Sequence, residues 1–203
     1  KRLKEEIVTP PGISFTFGGA SKRMVESFGY LFQALILAIV LVYMVMSALF
    51  ESYLNPFIIM FALPQALVGG LLALFLTGKT INMFSMIGVI MLMGLVAKNG
   101  ILLIDYTNTL REKGIERDEA IKQAGPTRLR PILMTTAAMV FGMMPIALGL
   151  GAGSETRSPM AICVIGGLIL STLLTLLLIP VLYAQFDDLM NFMGRVKRSI
   201  LGE

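Results

Sequence analysis

Apolar residues run through this chain in five long stretches separated by short polar segments: Phe28–Phe50, Pro56–Leu76, Met83–Tyr106, Pro131–Leu150 and Met160–Ala184. Each is about long enough to cross a ~30 Å hydrocarbon core at ~1.5 Å rise per residue. The pattern predicts an all-α membrane protein with five transmembrane helices, and leaves little chain for a separate soluble domain. Only near the start does the periodicity change. After the helix-breaking Thr9–Gly12 (TPPG), Ile13, Phe15 and Phe17 alternate with Ser14, Thr16 and Gly18, which predicts a short half-exposed strand. One strand has nothing to pair with. Lys1–Gly19 is therefore expected to be the tail of a water-exposed domain whose other parts lie outside this sequence.

Composition agrees with the hydropathy pattern. Of 203 residues, 56% are apolar and only 15% charged, against about 45–50% and 25% in soluble domains. Some chemistry is excluded at once. There is no His and a single Cys, Cys163. That rules out a His-bound metal, a Ser-His-Asp triad, an intrachain disulfide and a CxxC site. Cys163 lies in an apolar span and is expected to behave as a small hydrophobe. No GxxxxGK[ST] loop is present, so ATP is not bound in that way. No cofactor, no metal and no enzymatic activity are expected.

The net charge of +4 is modest, and its position matters more than its size. Arg111, Lys113, Arg117, Lys122, Arg128 and Arg130 lie between the third and fourth spans, and Arg195, Lys197 and Arg198 follow the fifth. Five spans place these nine basic residues on one side. Lys22, Arg23, Lys79 and Arg157 lie on the other. The positive-inside rule puts the 107–130 loop and the 185–203 tail in the cytoplasm and the chain start outside. Basic residues beside apolar spans point to orientation in a bilayer, not to nucleic acid. Ile115–Ala124 (IERDEAIKQA) is a candidate short amphipathic helix at the cytoplasmic face. Pro64, Pro145 and Pro180 interrupt spans, at lower cost than in a soluble helix. Many glycines allow close helix approach.

Lys98 is the most informative position. It lies deep in the third span, eight residues from its end at Tyr106, or ~12 Å along a helix. Its side chain leans toward the helix N-terminus, away from the nearer surface, so snorkelling is a poor escape. A lysine near mid-bilayer costs at least ~2.5–3.5 kcal/mol and needs a partner. Asp105 is on the same face but ~10 Å along the axis, long for a direct pair. The neutralising carboxylate is expected from helices outside this chain. A structural reading stands beside the functional one at each position. Lys98 could be satisfied by backbone carbonyls and help assembly, Asp105 could end the span, and Asn99 could be an interhelical hydrogen bonder. Arg128 and Arg130 could anchor the cytoplasmic entry of the fourth span, with Pro131 in its first helical turn. Thr135 and Thr136 could each bond their own helix backbone.

Four stretches carry a resemblance: FESYLNPFIIMFALPQALVGG (Phe50–Gly70), GLVAKNGILLIDYTN (Gly94–Asn108), RLRPILMTTAAMVFGMMP (Arg128–Pro145) and TRSPMAICVIGGLILSTLLTLLLIPVLY (Thr156–Tyr183). The chain resembles the C-terminal half of the membrane domain of resistance–nodulation–division efflux pumps. The resemblance implies a twelve-helix domain in two pseudo-symmetric halves, of which the five spans are helices eight to twelve. It implies that residues 1–27 are an extracytoplasmic remnant of the porter domain. The first half, which would carry an intramembrane Asp pair, lies outside the sequence. Lys98 maps to the lysine that pairs with those acids, and Arg128 and Thr135 to the Arg and Thr that join the proton relay. Asn99 and Asp105 are added as candidates by proximity. The AKN motif resembles the hydrophobe/amphiphile, multidrug branch. Implied partners are the missing N-terminal half, a homotrimer, a periplasmic adaptor, an outer-membrane channel and the lipid bilayer, with localisation in the inner (plasma) membrane. The competing functions are a structural or split membrane subunit without transport, and a relative exporting protein or lipid.

Overall fold

The structure is a computed structural model that describes the backbone of residues 19–151 and 153–201 and the side chains over 22–151 and 153–186. The strand expected at Ile13–Phe17 and the remnant assigned to the chain start lie outside the described residues, apart from Gly19 and the first turns of a helix. Six helices follow in order: α1 (Ala20–Phe50), α2 (Leu54–Met60), α3 (Ala62–Leu76), α4 (Met83–Glu112), α5 (Arg117–Ala147) and α6 (Ser154–Leu201). Five segments are long and apolar enough to cross a membrane: Lys22–Phe50, Leu54–Leu76, Met83–Glu112, Arg117–Ala147 and Ser154–Phe186. The all-α, five-span architecture is therefore as the hydropathy predicts.

The second span is two helices, because Pro64 cannot donate to the carbonyl of Met60. The chain tightens there, and the Phe61 amide donates to Ile58 O at 3.2 Å. α4 starts on a reciprocal cap. The Ser85 amide donates to Asn82 Oδ1 at 2.9 Å, and the Asn82 amide donates to Ser85 Oγ at 2.9 Å, which satisfies two otherwise orphaned N-terminal donors. It ends at Lys113 and Gly114, where φ of 85° suits glycine.

The 107–130 segment is not a loop. α4 runs on to Glu112, only Lys113–Glu116 turns, and α5 then continues unbroken past Ala124 to Ala147. Neither the separate amphipathic helix at Ile115–Ala124 nor a helix start at Pro131 is found. Pro126 and Pro131 each remove one backbone hydrogen bond, but their fixed φ suits a helix. The carbonyls they leave, at Lys122 and Thr127, belong to exposed residues.

α6 and α4 occupy the middle of the bundle. α6 packs against α3, α4 and α5, whereas α1 rests on α4 and α2 and leaves residues such as Leu37, Val45 and Leu49 exposed. The tightest seam brings Gly69 and Gly70 of α3 against α6. A Cβ at Gly69 would stand 2.8 Å from the Gly166 carbonyl oxygen, and one at Gly167 would stand 2.8 Å from that of Ala66. Only hydrogen fits there, and small residues are what allow membrane helices to approach so closely. Cys163 is fully buried in this seam beside Gly70, a small hydrophobe as its sequence setting predicts.

Candidate functional site

α4 presents two unlike sides. Its packed side buries Gly88, Leu92, Val96, Asn99, Leu103 and Thr107. Its other side is an open stripe of Ile87, Met91, Gly94, Lys98 and Asp105, all exposed. The spacing of 4, 3, 4 and 7 keeps them in line, ~27 Å from end to end at ~1.5 Å per residue. It is the spacing with which one helix meets another. Lys98 is in the middle of that stripe. Among the described residues no carboxylate lies within ion-pair distance of it, and the ion pair found there is Arg117 Nε to Asp118 Oδ1 at 2.8 Å. Lys98 and Asp105 thus share a face.

Asn99 follows Lys98 by ~100° around the helix and points inward. Its Nδ2 donates to Thr172 Oγ1 on α6 at 3.2 Å, and the same hydroxyl lies 3.2 Å from Thr136 Oγ1 on α5. All three residues are buried. A polar chain therefore ties α4, α6 and α5 together at the level of Lys98. Two further polar atoms in this core, Asn99 Oδ1 and Thr175 Oγ1, are buried without a partner among the described residues. The interhelical reading of Asn99 holds.

The fourth-span candidates separate. Thr135 is half-buried, and its hydroxyl donates to Ile132 O of its own helix at 3.0 Å. Its neighbour Thr136 bonds across to α6, against the expectation that both bond only their own backbone. Arg128 is half-buried about two turns earlier on the same helix. Its guanidinium lies over the Tyr106 ring of α4, 4.5 Å from the centroid, within cation–π range. Its Nε is buried with no hydrogen-bond partner among the described residues. Sequence reasoning missed Tyr106 and Thr172. Thr172 carried a weak signal, one of three hydroxyls with Ser171 and Thr175 in a run of apolar residues.

The site thus places a cation on an open membrane-helix face and, behind it, a polar chain through three helices. Residues 1–187 match the model of the AcrB/AcrD/AcrF family, and the chain belongs to this family of resistance–nodulation–division efflux transporters. It is 44% identical over 175 residues to the swarming motility protein SwrC of Bacillus subtilis (strain 168), covering 86% of this chain and 17% of that protein. It is 40% identical over 188 residues to the multidrug resistance protein MdtC of Proteus mirabilis (strain HI4320), covering 92% of this chain and 18% of that one. A solved structure of a heavy metal efflux pump superposes with a TM-score of 0.81 at 34% identity, over 92% of this chain and 19% of the pump. The chain therefore spans about a fifth of the length of these relatives.

Proposed function

We propose that this chain forms half of the transmembrane proton relay of a proton-driven pump that exports drugs or other amphiphilic compounds. The observation that carries the reading is Lys98: a mid-span lysine on an open helix face, with no carboxylate in ion-pair range among the described residues. In lipid that placement costs at least ~2.5–3.5 kcal/mol, so the face belongs against protein or a water-filled cavity. A pair of carboxylates on a segment outside these 203 residues is the partner that fits. The multidrug assignment is supported by the likeness to the multidrug resistance protein MdtC and by the AKN motif of Ala97–Asn99. In the working pump the chain acts within a homotrimer of the inner membrane, coupled to a periplasmic adaptor and an outer-membrane channel. The 113–116 turn and the end of α6 lie in the cytoplasm.

In one state of the cycle Lys98 is charged and bonded to those carboxylates. When they take up protons the attraction weakens, and a cation left without a counter-charge in low dielectric moves to another partner. Thr135 is the nearest candidate by family pattern. Its hydroxyl can accept while it donates to Ile132 O, and Asn99 is the second candidate, with Nδ2 engaged by Thr172 and Oδ1 without a partner among the described residues. Arg128, stacked on Tyr106, and Asp105 hold positive and negative charge toward the cytoplasmic end of the relay. Protonation thus biases a two-state packing of helices.

Drug accumulation in cells carrying the full-length transporter tests the proposal. Lys98→Ala is expected to abolish export while trimer and membrane levels stay normal. Export at the unsubstituted rate with Ala at 98 would overturn the reading and leave Lys98 as an assembly residue.

A further inference from the structure

Arg128 and Tyr106 meet between the Lys113–Glu116 turn and the residues proposed for the relay. On α4, Lys98 lies eight residues farther from that turn than Tyr106, and on α5 Thr135 lies seven residues farther than Arg128. These separations are ~12 Å and ~10 Å along the two helices. On both helices, therefore, the contact stands at the turn end of the relay.

The Arg128 guanidinium lies 4.5 Å from the centroid of the Tyr106 ring. Both residues are half-buried, and Tyr106 packs against the buried cluster that contains Leu103, Leu110 and Ile179. A ring held by the core is a fixed platform. Its negative face attracts a guanidinium, and the attraction grows as water is excluded. Asp105, the residue before Tyr106, carries a full negative charge, yet among the described residues no ion pair joins it to Arg128. Asp105 lies on the open stripe with Lys98, and Arg128 takes the ring instead. Holding a cation in this way has two chemical consequences. No counter-charge cancels it, and the N–H donors, which lie in the guanidinium plane, are not consumed by the π face below. Arg128 Nε is buried with no hydrogen-bond partner among the described residues.

We propose that Tyr106 is a positioning residue of the relay. Its ring face holds Arg128 at the turn end with charge and donors unspent, for an acceptor on the segment that meets the open face of α4. Tyr106 acts through Arg128, and its ring, not its hydroxyl, does the holding. The inference rests on the proton-relay reading of that face, and goes beyond it in naming what fixes the second cation.

Two readouts on the purified full-length transporter test it: drug export after reconstitution, and the rate at which phenylglyoxal modifies Arg128, followed peptide by peptide in a mass spectrometer. Tyr106→Phe keeps the π face and is expected to match the unsubstituted protein in both. The ring-fluorinated analogue of phenylalanine at position 106 keeps the shape of Phe, but its fluorines drain the negative face. It is expected to raise Arg128 modification about tenfold, the factor that goes with ~1.4 kcal/mol and lies within the cation–π range. Export is expected to fall by a similar factor, and exposed Arg157, at the other end of the bundle, should react as before. Tyr106→Leu is expected to behave like the fluorinated form. If the fluorinated ring matched Phe in both readouts, Tyr106 would be a packing residue and the proposal would be overturned. Faster modification of Arg128 with full export would overturn it too, since the held cation would then serve no transport. Lys98→Ala separates this from the underlying reading. Full export in Lys98→Ala would remove the relay itself, whereas the modification rates would still decide whether the ring holds Arg128.

Discussion

Opposite sides of α4 treat the same residue types differently. Gly88 and Gly100 face neighbours: a Cβ at Gly88 would stand 2.9 Å from the Met160 carbonyl oxygen, and one at Gly100 would stand 2.8 Å from Ile59 Cγ2. Gly94 lies between them on the open stripe, where an added Cβ meets nothing within 4 Å. Asn99 is buried and bonded to Thr172, whereas Lys98, one residue earlier, is exposed. One side is a finished packing surface. The other carries Lys98 and Asp105 on an open face. On the packed side Asn99 joins helices, whereas Ser85 and Thr107 bond within α4 and its cap.

The largest separation between the two sides is expected at the glycines. Gly88→Leu sets a branched side chain against the α6 backbone, which cannot rotate away. Overpacking of this kind costs about 1–3 kcal/mol or more, so the full-length transporter is expected to lose thermal stability and membrane level together. Gly94→Leu meets no atom of this chain, and in a detergent-solubilised preparation of the chain alone it is expected to melt like the unsubstituted form. If Gly94→Leu lowered that melting temperature as much as Gly88→Leu, the division into packed and open sides would fail.

A smaller effect is expected at the polar chain behind Lys98. Asn99→Leu removes the donor to Thr172 and should cost roughly 0.6–2 kcal/mol, the range for interhelical hydrogen bonds in membranes. Thr172→Val removes the shared hydroxyl. If Asn99, Thr172 and Thr136 act as one chain, the double variant should cost less than the sum of the two single changes. Strict additivity in thermal unfolding would reduce the chain to separate contacts.

The smallest stability effect, and the sharpest functional one, is expected at Thr135. Its hydroxyl bonds only its own helix, so Thr135→Ala and Thr135→Ser should both leave stability within about 0.5 kcal/mol, as for changes that open no cavity and strand no buried group. Export should nevertheless fall strongly with Ala and mildly with Ser, because only Ser keeps a hydroxyl. Equal loss of export in both would point to packing in place of the relay.

Much of this was legible in the chain alone. Five membrane-length helices follow from apolar runs, because a bilayer demands both length and backbone satisfaction from any segment that crosses it. Lys98 identified itself by cost: a cation in a run of apolar residues needs a reason. The helix joining Arg117 to Ala147 was not legible. Pro131 read as the first turn of the fourth span, and only the continuity of α5 through Pro126 and Pro131 shows that each sits inside a longer helix. The two threonines of Thr135–Thr136 were equally opaque. Adjacent identical residues differ by ~100° around a helix, and sequence does not say which one faces a neighbour.

By itself, then, the amino-acid sequence determined the fold class, the number of spans, the exclusion of histidine-bound metal and nucleophilic-triad chemistry, and Lys98 as the position to explain. These rest on quantities that add along the chain: hydropathy, length, charge and residue inventory. Tertiary structure alone decided that Asn99 reaches Thr172 and Thr136, that Arg128 stacks on Tyr106, and that Gly88 is crowded where Gly94 is free. It also decided that Arg111, Tyr183 and Asn108 meet at one end of the bundle, although more than 70 residues separate Tyr183 from each of the other two. Such meetings depend on which helix faces which and at what rotation. That is settled by the packing of close seams such as Gly69–Gly166, where backbone meets backbone and the register of the whole bundle is set.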